Sequence, residues 1–250
     1  VVYTAALAMC VLYGPQPLLS TIQSEFAVDR STVSLIITLP LLPLGLVPVA
    51  YGYLLESISA KKLLAAAVAL LCVSQLCLYL LNDFSLLLVF RLIQGIAFPA
   101  LFTSLMTYTA STNHSDNVQR AMSFYIGATI LGGFGGRILS GFLATFWGWQ
   151  ASMLFFGLAL AINLLLLFFL QSDTPASFSR LKISAIKGVL AIPEFKVIYL
   201  LVFCIFFVFA AVFNLLPFRM TDITGGASEF KIGLMYTGQG IGIIIALFST

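Results

Sequence analysis

Long apolar runs, cut by short polar breaks, make up nearly the whole chain. Eight of them cover roughly residues 1–22, 32–54, 62–81, 84–110, 118–145, 149–171, 194–218 and 229–250. A spanning helix needs about 20 mainly apolar residues. A barrel strand needs about half that length and alternates apolar with polar positions, which none of these runs does. The pattern predicts an all-α transmembrane bundle of about eight helices. The breaks carry helix-start chemistry. Asp29, Arg30, Ser31 and Thr32 form a polar turn with N-cap side chains, and Asn82–Asp83 precedes the fourth run. His114, Ser115 and Asp116 precede the fifth, and Pro193–Glu194 opens the seventh with a proline and an acid in its first turn. Trp147 and Trp149 flank Gly148 between the fifth and sixth runs, a pairing expected at a membrane–water interface.

Composition sharpens this picture. Hydrophobic residues reach 61% and charged residues only 8%, with a mean hydropathy of +1.09. Soluble domains carry about 25% charged residues, so a water-soluble globule is excluded and lipid is the expected solvent. The net charge of +3 is small and dispersed, which argues against a nucleic-acid partner. The four cysteines, Cys10, Cys72, Cys77 and Cys204, lie in apolar runs without a C-x-x-C pair. They read as buried small hydrophobes. No metal site and no cofactor are expected. His114 is the only histidine, sits in a polar turn beside Asp116, and offers no base for an intramembrane enzyme. Oligomerisation is not required by any feature.

With the amino-terminal side in the cytoplasm, alternate breaks place Lys61, Lys62, Arg120, Arg180, Lys182, Lys187 and Lys196 inside. Arg30, Arg219 and Lys231 fall outside, so the basic residues obey the positive-inside rule. Residues 172–193 are polar, then basic and amphipathic. They read as a cytoplasmic linker, partly a helix on the membrane surface. The expected organisation is a six-helix bundle over 1–171, the linker over 172–193, and the start of a second bundle over 194–250. The chain begins and ends inside apolar runs, which reads as part of a longer protein.

Two arginines interrupt the oil: Arg91 in the fourth run and Arg137 in the fifth. A charge at mid-bilayer costs at least ~2.5–3.5 kcal/mol on insertion scales, so both need partners or a use. Arg91 and Gln94 share one helix face. Arg91 lies about 10 Å below its helix end at the α-helical rise. In the first run Pro15 and Pro17 break the backbone ladder beside Tyr13 and Gln16, freeing carbonyls within the apolar stretch, and Asn214 interrupts the seventh. No Asp or Glu lies in the interior of any run.

Three local patterns resemble the major facilitator superfamily. Gly52-Tyr-Leu-Leu-Glu56-Ser-Ile-Ser-Ala-Lys61-Lys62 is similar to its G-x-x-x-D-R-x-G-R-K loop, with Ser57 and Ser59 departing from the usual arginine and glycine. Leu87-x-x-x-Arg91-x-x-Gln94-Gly95 resembles its l-x-x-x-R-x-x-q-G motif closely. The third, Gly132-Gly133-Phe-Gly135-Gly136-Arg137-Ile-Leu-Ser-Gly141, has the glycine density of its antiporter motif, without the proline. This third pattern, with Gly148-Trp149 and the opening Gly14-Pro15-Gln16-Pro17, looks like the bacterial YnfM-type inner-membrane efflux branch.

The resemblance implies the first eight of twelve helices, two rocking bundles, and a bacterial inner membrane. It implies a cavity lined by the first, fourth and seventh helices, with Tyr13, Gln16 and Asn214 among the lining groups. Arg91, Gln94 and Arg137 would serve proton coupling or charge relay. Gly52, Glu56, Lys61 and Lys62 would form a gating latch. Gly132, Gly133, Gly136 and Gly141, with Gly238 and Gly242 on the eighth helix, would form close helix interfaces. The expected function is secondary transport by alternating access, as proton-coupled efflux of a small organic solute or drug. An uncoupled facilitator or an uptake symporter of the same fold is the alternative, and an intramembrane enzyme a remote one.

Overall fold

The computed structural model describes residues 1–55, 57–112, 115–169 and 192–238. Regular structure among them is helical, without a strand. The first span is α1 (Val2–Tyr13), a 3-10 turn (Gln16–Leu18) and α2 (Leu19–Phe26). The second is α3 (Arg30–Leu46) and α4 (Pro48–Leu54). Four long helices follow: α5 (Ala60–Leu80), α6 (Phe84–Thr112), α7 (Ser115–Trp147) and α8 (Trp149–Leu167). Then come α9 (Pro193–Thr224) and the short α10 (Glu229–Met235).

Six stretches are long and apolar enough to cross a membrane: Val2–Phe26, Ala60–Leu80, Phe84–Thr112, Asn117–Trp147, Trp149–Leu167 and Phe195–Thr224. The second expected span is interrupted at Val47, just before Pro48, so its apolar helix is shorter. The eighth is described only as far as residue 238. Glu56, His114, Gly242 and most of the linker, including Arg180, Lys182 and Lys187, lie outside the described residues.

Caps match the polar breaks. Asp29 accepts from the Ser31 and Thr32 amides at 3.1 and 3.2 Å, and Asp83 from Leu86 at 2.9 Å. Those bonds, with one from the Thr32 hydroxyl, hold the Asp29 carboxyl below the usual carboxylate range. Ser59, which departs from the latch motif, caps α5, and Ser228 caps α10.

The core of the first six spans falls into two apolar clusters, the smaller at the Asp29 end around Leu19, Ile22, Val33, Ile37 and Trp149, and the larger through the rest of the bundle. Leu7, Val11 and Leu12 of α1 meet Leu64, Val68 and Leu71 of α5, Phe98 and Leu101 of α6, and Phe156 and Leu160 of α8. Side chains facing away, such as Val73, Leu165 and Phe203, stay exposed and suit lipid. The two tryptophans expected near the interface differ in exposure, and Trp149 faces inward. It is buried, its indole N–H donating to Glu25 at 2.5 Å, while Trp147 is exposed.

The bundle has two unlike ends. At the end holding Asp29, α9 and α10 pack onto α2, α3, the 3-10 turn and α7. At the end holding Lys61, α9 stands apart, and residues 195–209 are exposed throughout.

Candidate functional site

Arg91 on α6 is buried to 1% exposure and spends its donors on backbone. Nε donates to the Ile36 carbonyl at 2.7 Å, and Nη2 to the Leu12 carbonyl at 2.9 Å. Nη1 donates to the Val11 carbonyl at 3.3 Å and to Gln94 Oε1 at 2.7 Å. The choice of carbonyls has a cause. In an unbroken helix the Ile36 carbonyl would serve the N–H of residue 40, and Val11 that of residue 15. Both positions are proline and have no N–H. Arg91 therefore satisfies acceptors that Pro40 and Pro15 leave open in oil. A hydrogen bond to a charged group contributes about 1.5–3 kcal/mol, so two such bonds offset the insertion cost of the charge, and Arg91 makes four.

Gly95 of the same motif also acquires a reason. A Cβ there would meet the Pro40 Cα at 2.7 Å, so only glycine lets α3 approach α6 beside Arg91. Gln94 continues the network, donating to Gln75 Oε1 at 2.7 Å; Gln75 in turn donates to the Met153 sulfur at 3.2 Å.

Arg137 on α7 is as buried, at 2% exposure, and mixes a carbonyl of its own helix with side-chain partners from other elements. Nε donates to Gln16 Oε1 at 2.5 Å, and Nη1 to the carbonyl of Gly133 one turn back at 2.7 Å. Its guanidinium carbon lies 4.4 Å from the Tyr13 ring centre, 4.9 Å from Tyr236 and 5.6 Å from Phe213. Cation–π contacts in a desolvated setting contribute about 2 kcal/mol or more. Gln16 passes the network on, donating to Asn214 Oδ1 at 2.6 Å. Tyr236 donates to the Phe213 carbonyl at 2.9 Å, the acceptor that Pro217 strands on α9. Arg137 thus stands where α1, α7, α9 and the end of α10 converge. A cavity of about 380 Å³ opens beside it, lined by Tyr13, Gln16 and Asn214 at one corner and by apolar side chains of α3 and α9 elsewhere.

The seam continues to the Asp29 end. Arg30 grips Asp222 with two bonds, at 2.7 and 3.0 Å. Glu229 accepts from Thr21 at 2.6 Å and Thr145 at 3.2 Å, and the Phe230 amide donates to Thr145 at 3.0 Å. Gly141 lies directly against the Glu229 carbonyl, and Gly233 against the Arg137 carbonyl.

The expected glycines divide accordingly. Gly132 and Gly136 sit against Ala6 and Cys10 of α1, inside the first six spans, and Gly141 meets α10. Gly133 has only the Arg137 side chain near. Gly52 and Gly238 correct the expectation of close contact: no described atom lies within 4 Å of where their Cβ would sit. Gly52 stands in the loosely packed α4, and Gly238 points outward. In the expected latch, Lys61 donates to the Phe168 carbonyl at 3.4 Å, tying α5 to α8, and Lys62 is exposed.

A family model described as Major Facilitator Superfamily matches residues 1–250. The chain belongs to the Major Facilitator Superfamily. That membership makes it a multi-pass membrane protein of a transporter family rather than an enzyme. An uncharacterized transporter of Buchnera aphidicola (subsp. Schizaphis graminum) is 24% identical over 250 residues, 94% of this chain and 60% of that one. The inner membrane transport protein YnfM of Escherichia coli K12 is 28% identical over 154 residues, 60% of this chain and 36% of YnfM. The uncharacterized MFS-type transporter YybF of Bacillus subtilis 168 is 31% identical over 145 residues, 57% of this chain and 35% of YybF. The chain spans at most 60% of the length of these relatives. The POT family transporter PepTSo has the same fold, with a TM-score of 0.63 at 9% identity, over 95% of this chain and 50% of that one.

Sequence reading named Arg91, Gln94, Arg137, Tyr13, Gln16 and Asn214, and the structure joins them in two networks. It missed Tyr236, Phe213, Gln75 and Gly233. A signal existed for two of them: Gln75 is a polar break in the apolar α5, and Pro217 marks Phe213 four residues earlier as a carbonyl in need of a donor.

Proposed function

We propose that the full-length protein is a secondary active transporter that works by alternating access and expels a small organic solute or drug in exchange for protons entering down their gradient. The observation that carries it is the asymmetry of the two ends. The seam is sealed at the Asp29 end by Arg30–Asp222 and by Glu229 with its two threonines. At the Lys61 end α9 stands free of the first six spans. One end shut and the other parted is the arrangement a rocking carrier needs. The positive-inside distribution supports a cytoplasmic Lys61 end, which makes this an inward-facing state. A bacterial inner membrane is proposed on the likeness to YnfM. Arg91, Gln94 and Arg137 are proposed as the polar path for coupling, and a single copy as sufficient.

The uncoupled facilitator keeps a specific observation in its favour: no Asp or Glu is among the buried polar groups of the described residues. Full-length protein in proteoliposomes separates the two. With a panel of fluorescent solutes and an imposed pH gradient, flux of at least one solute accelerates and a protonophore cancels the gain. Flux indifferent to the gradient leaves the facilitator. No flux for any solute, with spin-label distances unchanged at both ends between pH 5.5 and 8, removes transport.

A further inference from the structure

We propose that the cavity between α1, α3 and α9 selects organic anions: an oxyanion head, such as a carboxylate, on an apolar body. This deepens the transport reading and rests on it for what the bound anion is used for, while binding itself is tested separately. The volume, about 380 Å³, suits a small ligand. Most of the wall is apolar, with Ile37, Leu41, Phe206 and Phe209 facing it, and the lining holds no Asp or Glu. Polarity is confined to the corner made by Tyr13, Gln16 and Asn214.

That corner has a direction. Arg137 donates to Gln16 Oε1, so the acceptor end of this amide is turned toward the guanidinium. The Gln16 NH2 donates to Asn214 Oδ1, so the second amide also spends its acceptor inward. Each oxygen is thus already engaged once by a donor from the Arg137 side, while the Asn214 NH2 and the second Gln16 N–H remain as donors. Among the described residues no hydrogen bond engages the Tyr13 hydroxyl, which supplies a third donor. The Arg137 cation, 4.4 Å beneath the Tyr13 ring, adds a positive field in a setting of low dielectric. Donors plus a positive field on an apolar wall match an anion, disfavour a cation, and give a neutral amide only part of the interaction. One guanidinium thus orients two amides that reach the cavity from different halves of the bundle.

The test uses purified full-length protein and three probes with one ring system: 2-naphthoate, 2-naphthamide and 2-naphthylmethylammonium. Binding is read by calorimetry. The expected order is carboxylate tightest, by about tenfold or more over the amide, and ammonium weakest. Asn214→Asp keeps the shape and adds a negative charge. It should lower carboxylate affinity about tenfold and raise ammonium affinity, with the melting temperature confirming that the variant folds. Arg137→Gln should abolish the preference for the carboxylate. Equal binding of amide and carboxylate, tightest binding of ammonium, or no binding of any probe overturns the anion site. Naphthoate preference without flux under any gradient upholds the site and removes transport. Flux of the amide or ammonium alone does the reverse.

Discussion

Arg91 and Arg137 are nearly equally buried, yet they solve the problem of a charge in oil in opposite ways. Arg91 binds main chain. Its carbonyls belong to α1 and α3, both within the first six spans, and two of them are open because a proline stands four residues on. Arg137 takes one carbonyl, that of Gly133 on its own helix, and its contacts with other elements are to side chains from both sides of the seam: Tyr13 from α1, Gln16 from the 3-10 turn, Phe213 from α9 and Tyr236 just past α10. Backbone partners cannot swing away without unwinding a helix. Rings and amides can change rotamer. The first arginine ties α6 to the main chain of α1 and α3, and the second joins α7 to side chains of α1, of α9 and just past α10, the contacts that the proposed rocking motion would have to exchange.

The sharpest way to break this contrast is to remove each cation. Arg91→Met leaves three main-chain acceptors without their donor, at about 1–3 kcal/mol each. We expect a loss of roughly 3 kcal/mol or more, read as the denaturant midpoint of full-length protein in detergent. Arg137→Gln should cost less, about 2 kcal/mol from the lost ring contacts, since glutamine keeps an N–H donor in reach of neighbouring acceptors. Equal losses would erase the distinction. A second pair concerns the glycines. At Gly136 a Cβ collides with Cys10 inside one bundle, so Gly136→Ala should cost about 1–3 kcal/mol of stability. At Gly141 the collision is with Glu229 across the seam. Gly141→Ala should instead widen spin-label distances at the Asp29 end with little change in melting. The smallest effect belongs to Arg30→Ala. It removes an exposed ion pair, so its stability cost should be within about 1 kcal/mol and fade in high salt.

Much of this was legible in the chain. The apolar runs located six helices long enough to span, while the second expected span is broken at Val47 and the eighth is described only to residue 238; Asp29 and Asp83 marked two starts. The rarity of charge in those runs singled out Arg91 and Arg137. Other features were not legible, because their causes lie between segments distant in sequence. Gly95 faces Pro40, 55 residues separate Arg91 from the Ile36 carbonyl, and Tyr236 serves a carbonyl on another helix. Gly52 and Gly136 look alike as letters, yet among the described residues only Gly136 has an atom within 4 Å of where its Cβ would sit.

By itself, then, the order of residues determined the solvent and the kind of element. Twenty apolar residues in a row have few other stable states in lipid, and polar atoms there must be few and matched. Which acceptor each arginine takes, which glycines touch, and which end of the bundle is shut were decided only by packing. Those outcomes depend on how helices cross, and a hydropathy pattern specifies a face without naming what will meet it.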